Sequence, residues 1–256
     1  MIPRVLAIAG SDSGGGAGIQ ADIKTIMMLG GHAMTAITAI TAQNTLGVTG
    51  VMPVPTDMVL AQIDAVASDI GVDAIKIGMI GSAETAAAVA DWLERVDMPV
   101  VLDPVMVATS GASLADAATI AALKRLMALA RLTTPNLPEL EALGGIDLLT
   151  NRGETILVKG GHAEGEEVVD RLIGPSGEIA VWRGSRIHTR HSHGTGCTLS
   201  SAIATGLGSG LSLVDAIGQA GDYVRAAMLA APAFGEGHGP MGHGLGKAHF
   251  QGEKRA

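Results

Sequence analysis

His193-Gly194-Thr195-Gly196-Cys197-Thr198 stands immediately ahead of an apolar helical pattern, Leu199-Ser200-Ser201-Ala202-Ile203-Ala204. Glycines in such a loop let successive backbone N–H groups turn toward one point, and a helix N-terminus adds about half a positive charge. The stretch can therefore hold an anion, phosphate above all. Cys197, the only cysteine of the chain, sits on the junction. There the helix terminus favours its thiolate and suits it to act as a base or nucleophile. The competing reading is a tight turn ahead of a buried helix, with the cysteine as core filler.

Other polar side chains fall where predicted strands stop. Val5-Leu6-Ala7-Ile8-Ala9 is an unbroken apolar run ending at Gly10, as a buried parallel strand reads. A glycine-rich loop, residues 11–18, leads into a helix over residues 19–29 closed by Gly30-Gly31. Gly16-Ala17-Gly18-Ile19-Gln20-Ala21 fits the dinucleotide pattern G-x-G-x-x-A loosely, but no Asp or Glu lies between Asp22 and Asp57 to take a ribose hydroxyl. The phosphate-loop pattern G-x-x-x-x-G-K-S/T occurs nowhere. What remains is either a plain turn or a loop whose backbone approaches a small ligand, with Asp12 and Asp22 as polar candidates.

Gln43 follows the strand-like run over residues 34–42, at the end where open α/β sheets bind ligands. Its amide offers a donor and an acceptor to a heterocycle edge, and a turn residue is the alternative. Asp103 ends a strand over residues 99–103, held extended by Pro104. Asn136 and Glu139 have capping-box spacing at the start of a helix that stops at Gly144-Gly145. That explanation competes with a carboxylate beside a magnesium-bound phosphate chain. Lys159 ends a strand over residues 156–159, where a buried ammonium needs an anion. His238, His243 and His249 in the Gly-rich tail match no zinc spacing.

Positioning these groups takes alternating strands and helices. Pro53 and Pro55 mark a loop, and Thr56 reads as the N-cap of a helix reaching residue 70. A strand over residues 74–79 and a helix from the Ser82 cap to about residue 95 follow. A loop over residues 105–114, a helix over 116–130 and a short strand over 132–134 come next. Gly174-Pro175-Ser176-Gly177 joins two alternating runs as a hairpin, and helices over residues 195–207 and 212–231 close the pattern. No repeat or linker interrupts it, so one domain spans residues 1–256, with 233–256 as a Gly/His-rich tail.

Composition narrows the partners. With 256 residues and 47% hydrophobic content, the chain can bury a large α/β core. A net charge of −8 argues against nucleic acid or an anionic membrane, and two Trp, two Phe and one Tyr leave little for base stacking. A lone cysteine fits a reducing compartment. No apolar run approaches the ~18 residues of a membrane span, and the N-terminal one is too short for a secretion signal. The expectation is a soluble cytoplasmic protein.

Eight ordered blocks together resemble the hydroxymethylpyrimidine/phosphomethylpyrimidine kinases of thiamine biosynthesis, members of the ribokinase-like superfamily. They are residues 10–22, 41–45, 76–79, 103–108, 134–139, 158–162, 193–198 and 237–240, spread over nearly the whole chain. The resemblance implies a three-layer α/β/α ribokinase-like fold with a mostly parallel sheet and no lid domain. It also implies two ATP-dependent phosphorylations at one site, taking 4-amino-5-hydroxymethyl-2-methylpyrimidine to its monophosphate and then its diphosphate. By the same resemblance Gly194, Thr195 and Gly196 form the anion hole, with Cys197 as base. Gln43, Gly10, Ala17, Asp22, Met79 and Val105 surround the pyrimidine, and Lys159 faces phosphate. Asp103, Glu139 and Asn136 serve Mg2+, and the family likeness suggests a homodimer. Thr109 departs from the lysine expected in many relatives. A pyridoxal kinase of the same fold, or a non-catalytic binder of a vitamin precursor, is the alternative.

Overall fold

Strands that are apolar on both sides have to be covered on both sides. Val5, Leu6, Ala7 and Ile8 are all fully buried, and successive side chains leave a strand on opposite faces. Helices must therefore flank the sheet twice. The computed structural model, which describes residues 1–106 and 117–246, has this arrangement. Its first half runs β1 (Arg4–Asp12), α1 (Gly18–Met28), β2 (His32–Asn44), β3 (Gly47–Pro53), α2 (Thr56–Asp69), β4 (Ala74–Ile77), α3 (Ala83–Leu93) and β5 (Val100–Leu102). Then come α4 (Ala117–Leu129), β6 (Leu132–Thr133), α5 (Leu137–Ala142), α6 (Ile146–Thr150) and β7 (Ile156–Val158). The hairpin β8 (Glu167–Gly174) and β9 (Gly177–Ser185) precedes α7 (Thr195–Gly208) and α8 (Leu213–Leu229).

The strands form one sheet in the order β3-β2-β1-β4-β5-β6-β7-β8-β9. From β2 to β7 every pairing is parallel, while β3 at one edge and β8 and β9 at the other are antiparallel. Leu6, Ile8, Ile75, Ile77 and Leu102 pack under Val59 and Ile63 of α2, Val89 of α3 and Leu126 of α4. Val5, Ala74, Val101, Leu132 and Leu157 pack on the other face under Ile26 of α1, Ile203 of α7 and Ile217 of α8. The α/β/α layering and the mostly parallel sheet are as expected.

Three local expectations change. Residues 47–53, of which the sequence marks only Pro53, as part of a loop, form edge strand β3 against β2, with most of their side chains exposed. Thr56 is the first helical residue rather than the cap: Pro55 holds the cap position, and the Thr56 hydroxyl meets that of Thr85 at 3.0 Å. The short helix α6 lies where no element was expected, because five residues carry too little periodicity to be read. Ser82 and Ser212 do cap α3 and α8, accepting from the backbone N–H of Thr85 and Asp215. The expected loop at residues 105–114 lies mostly, and Thr109 and His249 wholly, outside the described residues.

One polar group interrupts the apolar layer. Lys76 on β4 pairs in register with Ala7 and Val101 and is completely buried. Its ammonium donates to both carboxylate oxygens of Asp22 at 2.9 Å, and Ser201 of α7 donates to Asp22 Oδ1 at 2.7 Å. Burial opposes the charge on Lys76, but attraction from Asp22, Cys197 and Asp103 outweighs it and holds the pKa above the ordinary lysine value. Removing one partner of a buried pair strands the other. Lys76→Met should therefore lower stability in urea by about 3–5 kcal/mol, and Lys76→Met with Asp22→Leu should recover much of that loss. A single variant as stable as the wild type would mean that the pair carries no structural weight.

Candidate active site

Parallel strands deliver their C-terminal ends to one edge of the sheet, and there a cavity of about 1160 Å³ opens. Gly10 continues β1, Gln43 ends β2, Met79 follows β4, Asp103 and Val105 follow β5, Asn136 and Glu139 follow β6, and Lys159 follows β7. All of them line this cavity, together with Ala17, Gly194, Thr195, Gly196 and Cys197. Asp22 does not. Expected beside the substrate, it lies beneath the site in its pair with Lys76, with no exposed surface.

The anion loop has the form that its glycines predict. Gly194 is the N-cap of α7 at φ +86°, and a side chain there would run into the carbonyl of Gly16. The first N–H groups of a helix lack intrahelical acceptors, so the α7 terminus faces the cavity with donors. Thr195 N–H turns back to the Ser192 carbonyl at 3.3 Å and so is not free to face the cavity as expected of it. A side chain on Gly196 would meet Asp103 Oδ2 at 3.1 Å and Lys159 Nζ at 3.4 Å. The helix terminus thus stands directly beside a charged pair.

In that pair Lys159 Nζ donates to Asp103 Oδ1 at 2.9 Å, and Thr134 Oγ1 donates to the same oxygen at 3.2 Å. Burial weighs against the Lys159 charge, yet Asp103 and Glu139 together raise its pKa. Glu139 completes a capping box: its side chain accepts from Asn136 N–H at 2.8 Å, while Asn136 Oδ1 accepts from Glu139 N–H at 2.9 Å. The structural explanation of Asn136 and Glu139 is therefore correct. Burial and the Asp103 charge nevertheless push the Glu139 carboxyl up to about 7, against Lys159 and Asn136, which lower it. A capping carboxylate in water shows no such shift.

These oxygens suit a magnesium ion, which takes one or two carboxylates and completes its shell with phosphate and water. Among the described residues no group of three His, Cys, Asp or Glu side chains could hold a metal by itself. The donor set fits a cation that arrives with a phosphate chain.

Cys197 departs from expectation. The helix terminus, the Gly18 N–H and Lys76 all favour its thiolate. Close packing outweighs them, with Asp22 and Asp103 adding repulsion, and the thiol is pushed up to about 11. It is protonated at neutral pH.

The sequence reading assigned no role to His193. Its ring is almost fully buried, and Nε2 lies 3.0 Å from Asp12 Oδ2 and 3.2 Å from Gln43 Nε2. Asp12 itself ties down the glycine loop, accepting from the N–H groups of Gly14, Gly16 and Ala17 at 2.8–3.0 Å. Its neighbour in sequence, the anion loop, drew attention away from His193. His243, from the tail, is buried against Thr198 Oγ1 at 2.9 Å, which fastens the tail to α7.

A mostly parallel α/β/α sheet, with a glycine-led helix terminus and an acid–lysine cluster at its C-terminal edge, is the arrangement of a phosphotransferase of the ribokinase-like class. The family model described as phosphomethylpyrimidine kinase matches residues 12–242. The chain belongs to that family. It is 48% identical to the hydroxymethylpyrimidine/phosphomethylpyrimidine kinase of Rhizobium meliloti, over 95% of this chain and 97% of the relative. It is 46% identical to a thiamine biosynthesis bifunctional protein of Geobacter sulfurreducens, over 93% of this chain but only 52% of that longer protein. Among solved structures, a Bacillus subtilis pyridoxal kinase in complex with ADP is similar with a TM-score of 0.87 and 32% identity, covering 96% of this chain and 98% of that one. A phosphomethylpyrimidine kinase from Clostridium difficile gives a TM-score of 0.75 and 38% identity, covering 88% and 99%.

The Glu139 shift can be read directly. Its folded pKa lies above the ordinary 4.5, so the stability its protonated form confers is complete below that value. It is lost as the pH rises through about 7. Glutamine serves in the same capping box. Without divalent cations, the Tm advantage of Glu139→Gln over the wild type should therefore grow from pH 5 to pH 8. A difference that stays constant over that range would show that Asp103 and burial do not confine the charge.

Proposed function

We infer that the protein phosphorylates 4-amino-5-hydroxymethyl-2-methylpyrimidine to its monophosphate and then its diphosphate, with ATP as donor. The chain is a kinase of the thiamine-pathway pyrimidine. The observation that carries the finer reading is the convergence of Gln43, Asp103, Glu139, Lys159 and the α7 terminus on one cavity. Gln43 would grip the ring edge, with Gly10, Ala17, Met79 and Val105 around the ring. The cavity continues past Trp182, Val224 and Met228, apolar surface that suits a nucleotide base.

Phosphoryl transfer needs in-line positioning and charge neutralisation more than covalent chemistry. Lys159 would hold the transferred phosphate, and the N–H groups of Gly196 and Cys197 would meet the charge that develops on it. Asp103 and Glu139, with Asn136 beside them, would hold Mg2+, which when bound neutralises the nucleotide phosphates. Cys197 would take the proton of the attacking hydroxyl. With a pKa near 11, few molecules hold the thiolate at rest, but those that do carry a strong base. In the second step the nucleophile is a phosphate monoester, largely ionised at neutral pH because its second pKa is about 6. It needs no base.

We place this activity in the cytoplasm and in a homodimer, as the family likeness suggests. No helix among the described residues is long and apolar enough to cross a membrane.

Assays from each purified pyrimidine, with pyridoxal as comparator, test the reading. Turnover of pyridoxal without turnover of either pyrimidine would overturn it. Cys197→Ala should slow monophosphate formation by about 10²–10⁴-fold and diphosphate formation far less. The wild-type rate of the first step should rise with pH from 6 to 9, and that rise should be missing in Cys197→Ala. Equal losses in both steps would reduce Cys197 to shaping the loop. Gln43→Ala should raise KM for both pyrimidines by about tenfold, and an unchanged KM would return Gln43 to the turn reading.

A further inference from the structure

Gln43 can read a ring edge only if its amide is held one way round. The oxygen and nitrogen of a primary amide exchange by rotation about the last side-chain bond, and the surrounding donors and acceptors decide which faces where. Two neighbours flank this amide. In the structure Thr41 Oγ1 lies 3.2 Å from Gln43 Oε1, and His193 Nε2 lies 3.2 Å from Gln43 Nε2.

Each neighbour's own bonding fixes what it offers. A hydroxyl has one proton, and Thr41 directs it to the Ser11 carbonyl at 2.7 Å, so Thr41 presents a lone pair to Gln43. His193 Nε2 lies 3.0 Å from Asp12 Oδ2. Asp12 already accepts three loop N–H groups. These bonds, together with His193, outweigh its burial and lower its pKa. Asp12 is a carboxylate with only lone pairs to offer, so Nε2 of His193 carries a proton. That proton can be shared with an oxygen of Gln43 but not with its NH2 group. Both neighbours therefore favour the amide turned by half a rotation from the one in the structure, with nitrogen toward Thr41 and oxygen toward His193. The far edge of the amide, one N–H beside one oxygen lone pair, is left for a ligand.

We propose that His193, fixed by Asp12, is a specificity-determining positioning residue that locks the Gln43 amide in this order. The inference rests on the proposed pyrimidine-kinase reading and adds what selects the ring. A heterocycle with a ring nitrogen acceptor beside an exocyclic amine donor matches the locked edge. With the hydroxymethyl group directed to the α7 terminus so that the ring cannot turn over, one with the reversed order, a ring N–H beside a carbonyl, puts donor against donor and acceptor against acceptor. The fold makes room for this device: a side chain on Gly16 would meet the His193 ring at 2.5 Å. The backbone of His193 is pinned by its N–H to the Gly239 carbonyl at 3.2 Å. His193 touches Gln43 on one side and the anion loop follows it directly, so one residue relates the ring to the phosphate site.

The test compares the 4-amino substrate with its 4-oxo counterpart, which reverses the donor and acceptor. The readout is the ratio of kcat/KM for the two, with KM and kcat separated. Because a polar site rejects a ligand that leaves its groups unpaired, the wild type should prefer the amine strongly. His193→Ala lets the amide rotate, and should lower that ratio by about tenfold or more, chiefly by raising KM for the amine. Thr41→Val removes the other clamp with little change of shape and should lower the ratio in the same direction. It provides the measurement if His193→Ala does not fold. A variant that binds both rings more weakly but keeps the ratio assigns His193 to loop structure and overturns the proposal. So does an unchanged ratio in folded Thr41→Val. A wild type that turns over neither ring removes the pyrimidine reading itself, and the inference falls with it.

Discussion

An ammonium cannot stay buried without a counter-charge, and that requirement binds the middle of this molecule together. Lys76 belongs to a central strand, its partner Asp22 to α1, and the hydroxyl that completes the network to Ser201 of α7. One helix follows the glycine loop and the other begins at the anion site. In a desolvated setting the attraction is strong but tolerant of little displacement. The pair therefore sets the N-terminus of α1 against that of α7, and it is there that Gly18 N–H meets Cys197. Asp22 thus supports the active site without entering it.

Around this fixed point the charges of the site do not balance. Asp103 and Glu139 bring two carboxylates against one ammonium, Lys159. Burial is the larger cause of two departures from ordinary behaviour, and the surplus adds to it: Glu139 is driven toward its protonated form, and Cys197 is kept a thiol. That corner of the cavity disfavours a bare phosphate, although Arg183, Arg186, Arg190 and Arg225 line other parts of it. It suits a phosphate chain that carries its own divalent cation, with the α7 terminus supplying partial positive charge that no proton can titrate.

Much of this was legible in the residues, and the gaps have physical causes. Apolar runs buried on both faces gave β1, β4 and β5, and the capping serines marked α3 and α8. The edge strand β3 was missed because an edge facing solvent needs no apolar pattern, and Pro53 and Pro55 carried turn chemistry instead. The family motifs placed Gln43, Asp103, Glu139 and Lys159 at strand ends, but no one-dimensional pattern shows that Lys76 reaches across to Asp22. For the same reason Asp22 was assigned to substrate. The thiolate expectation for Cys197 rested on the helix terminus alone, a local effect, whereas the burial that reverses it comes from elements far apart in the chain. His193 escaped notice because its partners, Asp12 and Gln43, are separated from it by 181 and 150 residues.

The likeness to a pyridoxal kinase with a TM-score of 0.87 at 32% identity says where selectivity between rings has to reside. Two chains that share a backbone to that degree share the features built from backbone: the helix terminus, the glycine loop and the strand ends. In the proposed reaction the helix terminus faces phosphate, which every kinase of this fold must handle, so it cannot tell one heterocycle from another. Discrimination would then fall to the side chains that face the ring, and in the proposed site Met79 would supply shape while Gln43 would supply hydrogen bonds. Shape alone separates rings of similar size weakly, because a methyl-sized mismatch changes binding by only about 1–3 kcal/mol. An amide edge held in a fixed order separates them far more sharply, since a wrong partner leaves two buried polar groups unpaired. On the proposed reading, the selectivity of this site is therefore a property of the clamp that Thr41 and His193 place around Gln43 rather than of Gln43 alone.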